Sequence, residues 1–291
     1  LTELYGEKFH CWKKKGHGIV NLRTAIQRSS DVYFYEVARL LGVDRLSETA
    51  KKFGLGKRVL ENFKEERSGV VPNTEWKKKF IGKNWYLGET LHSGIGQGYF
   101  QSTPLQLCLM TAQIANGGFE LKPRILVSEQ NNNLKNYLKY KNENPNTLQV
   151  DELVSNFDLK PLFRNQENIN FIKDAMYAAT NEVGGTSYGS RLSDKKFMFA
   201  GKTGSSQTKK FTELQREMEV KQKDLKYKDR DHALFVAYAP VSDPKYAISV
   251  VVEHGGTGSS SAAPIAKKVI KKVLERHPVR ENLLGEIIEE A

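Results

Sequence analysis

Three strand-like runs followed by a helical segment close the chain, and this order constrains the fold more than any other feature. The runs cover residues 196–200, 233–239 and 246–252, and a turn at 240–244 separates the last two. Such a turn favours an antiparallel hairpin. The serines at 259–261 can then cap a helix through Ile265, Val269, Ile270 and Val273 that packs one face on the sheet.

Helical spacing of apolar residues marks the part of the chain before these strands. It predicts two helical pieces between Asn21 and Leu41 that meet at the polar triplet Ser29-Ser30-Asp31. Further helices are predicted from an N-cap at Asp44 to Gly54, from Thr103-Pro104 to Asn116, and over about 168–180. The segments at 56–88 and 94–98 are expected to be mostly loop. Residues 128–151 are expected to form an exposed excursion, and the charged insertion 209–231 either a flexible arm or a short exposed helix.

Charge and hydropathy set limits on the class of protein. Forty-five Lys and Arg against 34 Asp and Glu give a formal charge of +11, which fits a lysine-rich solvated surface or an anionic partner. No stretch reaches the roughly 18 uninterrupted apolar residues of a membrane span, so we expect a soluble chain. It begins at Leu1 without a signal peptide, and we expect it to be a fragment. Cys11 and Cys108 do not indicate a disulfide framework.

Two short motifs carry the chemistry. Ser29-Ser30-Asp31 and Lys202-Thr203-Gly204-Ser205 correspond to two of the three elements of a serine acyl-transfer site, S-x-x-K, S-x-N and K-T-G. In such a site a neutral lysine takes the proton of the attacking serine, a second serine relays protons, and the strand lysine supplies positive charge. Each motif alone is weak, because Ser-Ser-Asp before a helix is commonly only an N-cap.

The order of the motifs and several longer runs identify a family. The chain resembles class B penicillin-binding proteins of the elongation type, known as penicillin-binding protein 2, over nearly its whole length up to about residue 277. The runs that carry the resemblance are FHCWKKKGHG at 9–18, SSDVYFY at 29–35, ERSG at 66–69, GIGQG at 94–98, AGKTGSSQ at 200–207 and VEHGG at 252–256.

The resemblance implies a fold and a domain plan. The fold is α/β, the penicillin-recognising serine transpeptidase (β-lactamase-like) fold, with an antiparallel sheet flanked by helices plus a helical lobe. Residues 1–277 would be a partial transpeptidase domain, with its helical lobe at about 19–120 and its sheet hairpin and C-terminal helix at about 196–277. Residues 278–291 would be a tail.

Roles for individual residues follow from the same resemblance. Ser29 would be the proton-relay hydroxyl, and Asp31 would orient the site and the substrate amide. Lys202 would pair with Ser29 and with the terminal carboxylate of the peptide. Thr203 and Ser205 would bind that carboxylate, Gly204 would let the strand lie close to the substrate, and the Ser205 N–H would be half of the oxyanion hole.

One family element is missing from the sequence. No serine precedes Ser29, and the three literal S-x-x-K strings begin at Ser193, Ser206 and Ser242, at or after the K-T-G strand. A nucleophile on a loop or strand would lack the helical turn that brings the lysine over the serine. We therefore expect the nucleophile to belong to a segment absent from this chain, which alone would be inactive.

The resemblance also implies an activity and partners. The parent protein would be a peptidoglycan D,D-transpeptidase that cross-links D-Ala-D-Ala stem peptides during cell elongation and is acylated by β-lactams. It would use no cofactor or metal and bind no nucleic acid. It would lie at the periplasmic face of the bacterial inner membrane through an anchor outside this chain, beside a glycan-polymerising membrane partner and elongation-complex proteins.

Four alternatives are weighed against this interpretation. Gly94–Gly98 lacks the third glycine of a dinucleotide fingerprint and the Lys-Ser/Thr of a P-loop. Cys11 and His17 have side chains suited to zinc, but two ligands do not make a site. A class A β-lactamase needs a deacylating Glu, and no E-x-x-L-N string is present. A non-catalytic module that binds peptidoglycan or a partner protein stays open.

Overall fold

Helices and two antiparallel sheets make up the part of the chain that the computed structural model describes, residues 2–4, 6–60, 63–125, 160–209, 211–212, 215, 218 and 220–277. The strands are β1 (Thr2–Leu4), β2 (Glu7–Phe9), β3 (Ala200–Ser206), β4 (His232–Ala239) and β5 (Tyr246–Val252). The helices are α1 (Leu22–Arg28), α2 (Asp31–Leu41), α3 (Val43–Lys52), α4 (Thr74–Ile81), α5 (Leu87–Gly94), α6 (Pro104–Ala115), α7 (Glu167–Asn181) and α8 (Ala263–Glu275). None of the described helices is long and apolar enough to cross a membrane.

The predicted antiparallel hairpin is confirmed. Strands pair in the order β3-β4-β5, with Thr203 opposite Phe235 and Val236 opposite Ser249. The first strand was misplaced, because residues 194–197 form a turn in which the Phe197 N–H donates to the Asp194 carbonyl. The K-T-G residues therefore lie within β3 itself, along its ladder with β4.

Helix α8 covers one face of this sheet, as predicted, but with a different set of residues. Ala263, Ala266, Ile270 and Leu274 are buried at helical spacing, and they pack on Phe199, Phe235 and Ala237. Ile265 and Val269 are 44% and 41% exposed, so their predicted place on the packed face is wrong. The predicted serine cap is also wrong: Thr257 accepts from the Ser260 N–H in a π-helical turn, Gly258–Ala262, that precedes α8.

The two helical pieces that meet at the polar triplet are confirmed as α1 and α2. Helix α6 also begins as predicted, with Thr103 and Gln106 forming a reciprocal capping box, and α7 matches the prediction for 168–180. The N-cap prediction at Asp44 is wrong, because α3 begins at Val43 after Gly42. The Asp44 carboxylate instead accepts hydrogen bonds from the N–H and hydroxyl of Thr74 at the start of α4.

Helix α4 lies inside the segment 56–88 that was predicted to be mostly loop. Its pattern was hidden because its one buried residue is a lysine: Lys77 is 2% exposed and pairs with Glu89 of α5 at 2.6 Å. Helix α5 extends to Gly94, so the loop begins at 95, one residue later than the predicted start at 94. A Cβ at Gly94 would lie 2.4 Å from the Cβ of Ala38, so glycine permits α5 to pack closely on α2.

Two segments were predicted to be exposed, and the structure describes part of one of them. The excursion at 128–151 lies outside the described residues. Within 209–231 the described residues form two short 3₁₀ turns, Gln222–Asp224 and Tyr227–Asp229. These turns are held to the sheet end through Asp231, whose carboxylate accepts from the Gln222 side chain at 2.7 Å.

Candidate active site

Ser29 lies between α1 and α2 with its backbone in the left-handed region, at φ 54° and ψ 60°. Its N–H donates to the Ile26 carbonyl, so Ser29 occupies the helix-end position that glycine usually fills. A residue with a Cβ is disfavoured in this conformation. Such a residue often marks a functional position, because its strain has to be stabilised by the surrounding structure.

Lys202 on β3 reaches across to this serine. Its Nζ donates to the Ser29 Oγ at 2.9 Å and to the Thr203 carbonyl at 3.0 Å. Burial lowers the pKa of Lys202 to about 8, and the negative charge of Asp31 opposes that shift. A lysine with this pKa exchanges protons readily near neutral pH, as a proton-transfer network requires.

Asp31 is the first residue of α2, where the helix dipole favours a carboxylate. Burial raises the pKa of Asp31. Hydrogen bonds from the Trp12 backbone N–H, at 3.0 Å, and from the Cys11 thiol oppose the rise, as does the charge of Lys202. Asp31 therefore lies in a pocket built to hold its carboxylate in one orientation.

A cleft of about 1250 Å³ contains all six site residues predicted from the sequence. Ser29 and Asp31 line the side formed by the helices, and Lys202, Thr203, Gly204 and Ser205 line the side formed by β3. Gly94, Ile95 and Gln97 also line it, so the glycine-rich segment lies beside the cleft. The π-helical turn before α8 adds Gly258 and Ser259 to the lining, and Gly258 lies directly beside Gly204.

Thr186 is a cleft residue that the sequence analysis missed. The Thr203 hydroxyl donates to the Thr186 hydroxyl at 2.9 Å, and the Thr186 N–H donates to the Gln27 carbonyl of α1. Its only signal in the sequence is the preceding Gly184-Gly185, which marks a turn but not what the turn carries. A Cβ at Gly185 would lie 2.3 Å from the Ala179 carbonyl oxygen, so the turn packs directly on the end of α7.

For the hypothesis that Cys11 and His17 bind zinc, the described residues offer no third ligand. Both ring nitrogens of His17 are buried without a hydrogen-bond partner, and burial together with the Lys13 charge lowers the His17 pKa. The Cys11 thiol is engaged with Asp31. Among the described residues no three His, Cys, Asp or Glu side chains are grouped so that they could hold a metal ion.

A K-T-G strand at the edge of an antiparallel sheet, facing a serine at a helix junction, defines the class of penicillin-recognising serine acyltransferases. Comparison with known proteins gives the family. The family model described as penicillin binding protein transpeptidase domain matches residues 2–271, and the chain belongs to this family.

Individual relatives agree with the family. The chain is 35% identical to the peptidoglycan D,D-transpeptidase MrdA of Haemophilus influenzae over 273 residues, 93% of this chain and 39% of the relative. It is 30% identical to MrdA of Escherichia coli K12 over 276 residues, 95% of this chain and 40% of the relative. The chain therefore spans about two fifths of the length of these curated relatives.

Solved structures of penicillin-binding protein 2 share the fold. One is a complex between Helicobacter pylori penicillin-binding protein 2 and MreC. This chain matches it with a TM-score of 0.74 at 32% identity, and the match covers 94% of this chain and 44% of the Helicobacter pylori chain. For Pseudomonas aeruginosa penicillin-binding protein 2 in complex with WCK 5153 the TM-score is 0.70 at 33% identity, covering 93% and 51%. The fold predicted from the sequence is confirmed.

Proposed function

We propose that this chain forms two walls of the active site of a peptidoglycan D,D-transpeptidase of the elongation type. The observation that carries the proposal is the 2.9 Å hydrogen bond between Lys202 and Ser29, which joins residues 173 positions apart across the cleft. A partly buried lysine on a serine hydroxyl fits proton relay in acyl transfer. The MrdA relatives bear this activity in their name.

In the proposed reaction a serine hydroxyl attacks the carbonyl carbon between the last two D-alanines of a stem peptide. An acyl-serine ester forms and the peptide C–N bond breaks, while the proton of the attacking hydroxyl passes through Ser29 to the departing amine, so free D-alanine leaves. The amine of a second stem then attacks the acyl-serine ester, a new peptide bond forms, and the serine regains its proton. A β-lactam would acylate the same serine, because its ring amide takes the place of the terminal peptide bond.

The β3 wall would bind the end of the stem peptide. Lys202, Thr203 and Ser205 present an ammonium group and two hydroxyls to a terminal carboxylate, and Thr186 holds the Thr203 hydroxyl in place. In the described residues β3 pairs with β4 on one side only, which leaves its other edge available to an extended peptide. The Ser205 N–H on that strand would stabilise the oxyanion.

The attacking serine would come from residues outside the printed sequence. Lys245 pairs with Asp243, Lys209 pairs with Asp229, and Lys196 lies in the turn before β3. Gln207 of the second S-x-x-K string lines the cleft, but neither the serine nor the lysine of any of the three strings is in its described lining. The cleft therefore offers a relay serine and an anion-binding strand but no serine with a lysine one helical turn away.

The domain plan, partners and location complete the proposal. Residues 1–277 would form one partial transpeptidase domain in two parts, a helical lobe at 19–120 and a sheet part at 196–277. The complete protein would be tethered to the inner membrane and face the periplasm. It would work with a glycan polymerase and other elongation proteins; the MreC complex is described for the relative from Helicobacter pylori.

Labelling of the complete gene product with fluorescent penicillin tests the proposal. Lys202→Ala should lower the acylation rate by about 100-fold or more, because the Ser29 hydroxyl loses the ammonium group that donates to it, while the fold persists. Lys196→Ala is the matched control, since Lys196 is exposed outside the cleft. Near-normal acylation of Lys202→Ala would refute the role of Lys202.

The 291-residue chain by itself provides the second test. It should not be labelled covalently, because the attacking hydroxyl is outside it. Stable labelling of this chain would refute the placement of the nucleophile. If the complete gene product is not labelled either, the non-catalytic binding module is the better interpretation.

A further inference from the structure

Trp12 is an exposed tryptophan whose backbone N–H and indole N–H both donate to the junction between α1 and α2. Its indole Nε1–H donates to the Ser29 carbonyl at 2.8 Å and to the Arg28 carbonyl at 3.3 Å. Its backbone N–H donates to the Asp31 carboxylate at 3.0 Å. One residue thus joins the last carbonyls of one helix to the first side chain of the next.

Packing does not explain this tryptophan. Trp12 is 63% exposed, so burial of its ring contributes little to the core, and its ring contact with His17 is a single edge-on one at 5.5 Å. The carbonyls at the end of a helix have no partner within the helix and need one from elsewhere. The indole N–H supplies that partner at Ser29, whose left-handed backbone is unfavourable for a residue with a side chain.

We propose that Trp12 is a positioning residue, which holds Ser29 in its left-handed conformation and thereby keeps the serine hydroxyl on Lys202. The inference deepens the proposed function and depends on it only for the kinetic consequence. Ser29 occupies a site where glycine would be free of strain, and glycine has no hydroxyl to relay a proton. Retaining the serine there requires an outside contact on its backbone, and the indole provides it.

The segment that carries Trp12 is itself fixed to α2. The Tyr35 hydroxyl donates to the His10 carbonyl at 3.2 Å, and the Cys11 thiol donates to Asp31. Phe9, at the end of β2, packs edge-on against Tyr35 with ring centroids 5.6 Å apart. These contacts fix the position of the segment before Trp12, so the indole is held in place against Ser29, as precise placement of a relay group requires.

The structural test uses the 291-residue chain with Trp12→Phe, which removes the indole N–H and leaves the backbone bond to Asp31. In its crystal structure we expect residue 29 to leave the left-handed region and its Oγ to move out of hydrogen-bond reach of Lys202. Replacement of Trp12 by benzothienylalanine, a ring of the same shape with sulfur in place of N–H, should do the same. An unchanged Ser29 backbone and an intact contact to Lys202 in both variants would overturn the proposal.

The kinetic test uses the complete gene product and fluorescent penicillin. Trp12→Phe should slow acylation by about 10- to 100-fold with little change in the preceding binding constant, since displacement of a reacting group acts on the chemical step. In a Ser29→Ala background the same substitution should cost nothing further. An equal loss in both backgrounds, or a normal rate in Trp12→Phe, would overturn the proposal.

Trp85→Phe is the matched control. The Trp85 indole donates to the Thr90 hydroxyl at 2.8 Å, outside the residues that line the cleft. This variant also loses one indole hydrogen bond, and acylation should stay at the wild-type rate. If the wild-type protein is not acylated at all, the proposed function fails, while the crystal structures still decide whether Trp12 positions Ser29.

Discussion

The polar atoms of Ser29 and Lys202 show how a single pair of residues sets the chemistry of the cleft. Ser29 is held in an unfavourable backbone conformation, and Lys202 is held in a partly buried position that disfavours its charge. Both arrangements cost stability. Such costs persist where the surrounding structure enforces them, and both fall on the two groups that contact each other at 2.9 Å.

The lowered pKa of Lys202 predicts a pH dependence of stability. Its pKa is about 8 in the folded chain against 10.5 for a free lysine. Between these values the unfolded chain binds the extra proton, so the free energy of unfolding rises with pH in that window and is flat below it. Lys202→Met removes this dependence. From pH ~7 to ~10 the wild type should gain about 2 kcal/mol relative to the variant.

Urea unfolding of both proteins at the two pH values measures this difference. Other lysines and tyrosines titrate equally in wild type and variant, so their effects cancel in the comparison. A constant difference in stability across the window would show that Lys202 is not held in a charge-disfavouring site.

At the scale of the elements, the π-helical turn before α8 packs closely against the sheet. A Cβ at Gly258 would lie 2.3 Å from the Leu234 carbonyl oxygen and 2.6 Å from that of Gly204. Glycine at 258 thus brings the turn directly against β3 and β4, beside the K-T-G residues. The end of the cleft is shaped by this contact.

Gly258→Ala should therefore destabilise the chain by about 2–3 kcal/mol, because the added methyl group meets backbone atoms of the sheet that cannot move aside. Gly189→Ala is the matched control, since a Cβ there would meet nothing within 4 Å. Urea unfolding of the two variants gives the comparison. Similar midpoints for both would contradict the close packing of the turn on the sheet.

At the scale of the whole molecule, α7 joins the two walls of the cleft. Arg23 of α1 binds Asp174 at 2.5 Å and Glu182 at 2.6 Å, the first on α7 and the second just after it. On the other side of α7, the Thr180 hydroxyl accepts from the Gly201 N–H of β3 at 3.1 Å. The helix therefore fixes the position of α1, with Ser29 at its end, relative to Lys202.

Arg23→Met should lower the free energy of unfolding by about 1 kcal/mol at low salt, and by less at ~1 M salt, where partly exposed ion pairs are screened. Arg39→Met is the control, because the Arg39–Glu36 pair lies within α2 and joins nothing distant. It should change stability little at either salt concentration. Equal effects of the two substitutions would argue against the Arg23 cluster as a link between the walls.

The sequence predicts those elements whose stabilising interactions are local, and it does not predict elements that depend on a partner distant along the chain. Helices α1, α2, α6 and α7 and the β4–β5 hairpin were predicted, because capping residues, apolar spacing and turn chemistry act over a few positions. Helix α4 was not predicted, since its buried residue is the charged Lys77, whose partner Glu89 lies on a later helix. The spacing of apolar residues within α4 does not show that Lys77 will pair with Glu89.

For the candidate site, too, the sequence predicted one part and only the tertiary structure supplied the other. The residue types in Ser29-Ser30-Asp31 and Lys202-Thr203-Gly204-Ser205 identified the kind of chemistry from the sequence, and family order raised that identification above chance. Only the tertiary structure joined Ser29 to Lys202, supplied Thr186 to the Thr203 hydroxyl, and placed the Trp12 indole on the Ser29 carbonyl. These contacts join residues 16 or more positions apart, so they depend on how helices and sheet pack and not on any local preference of the chain.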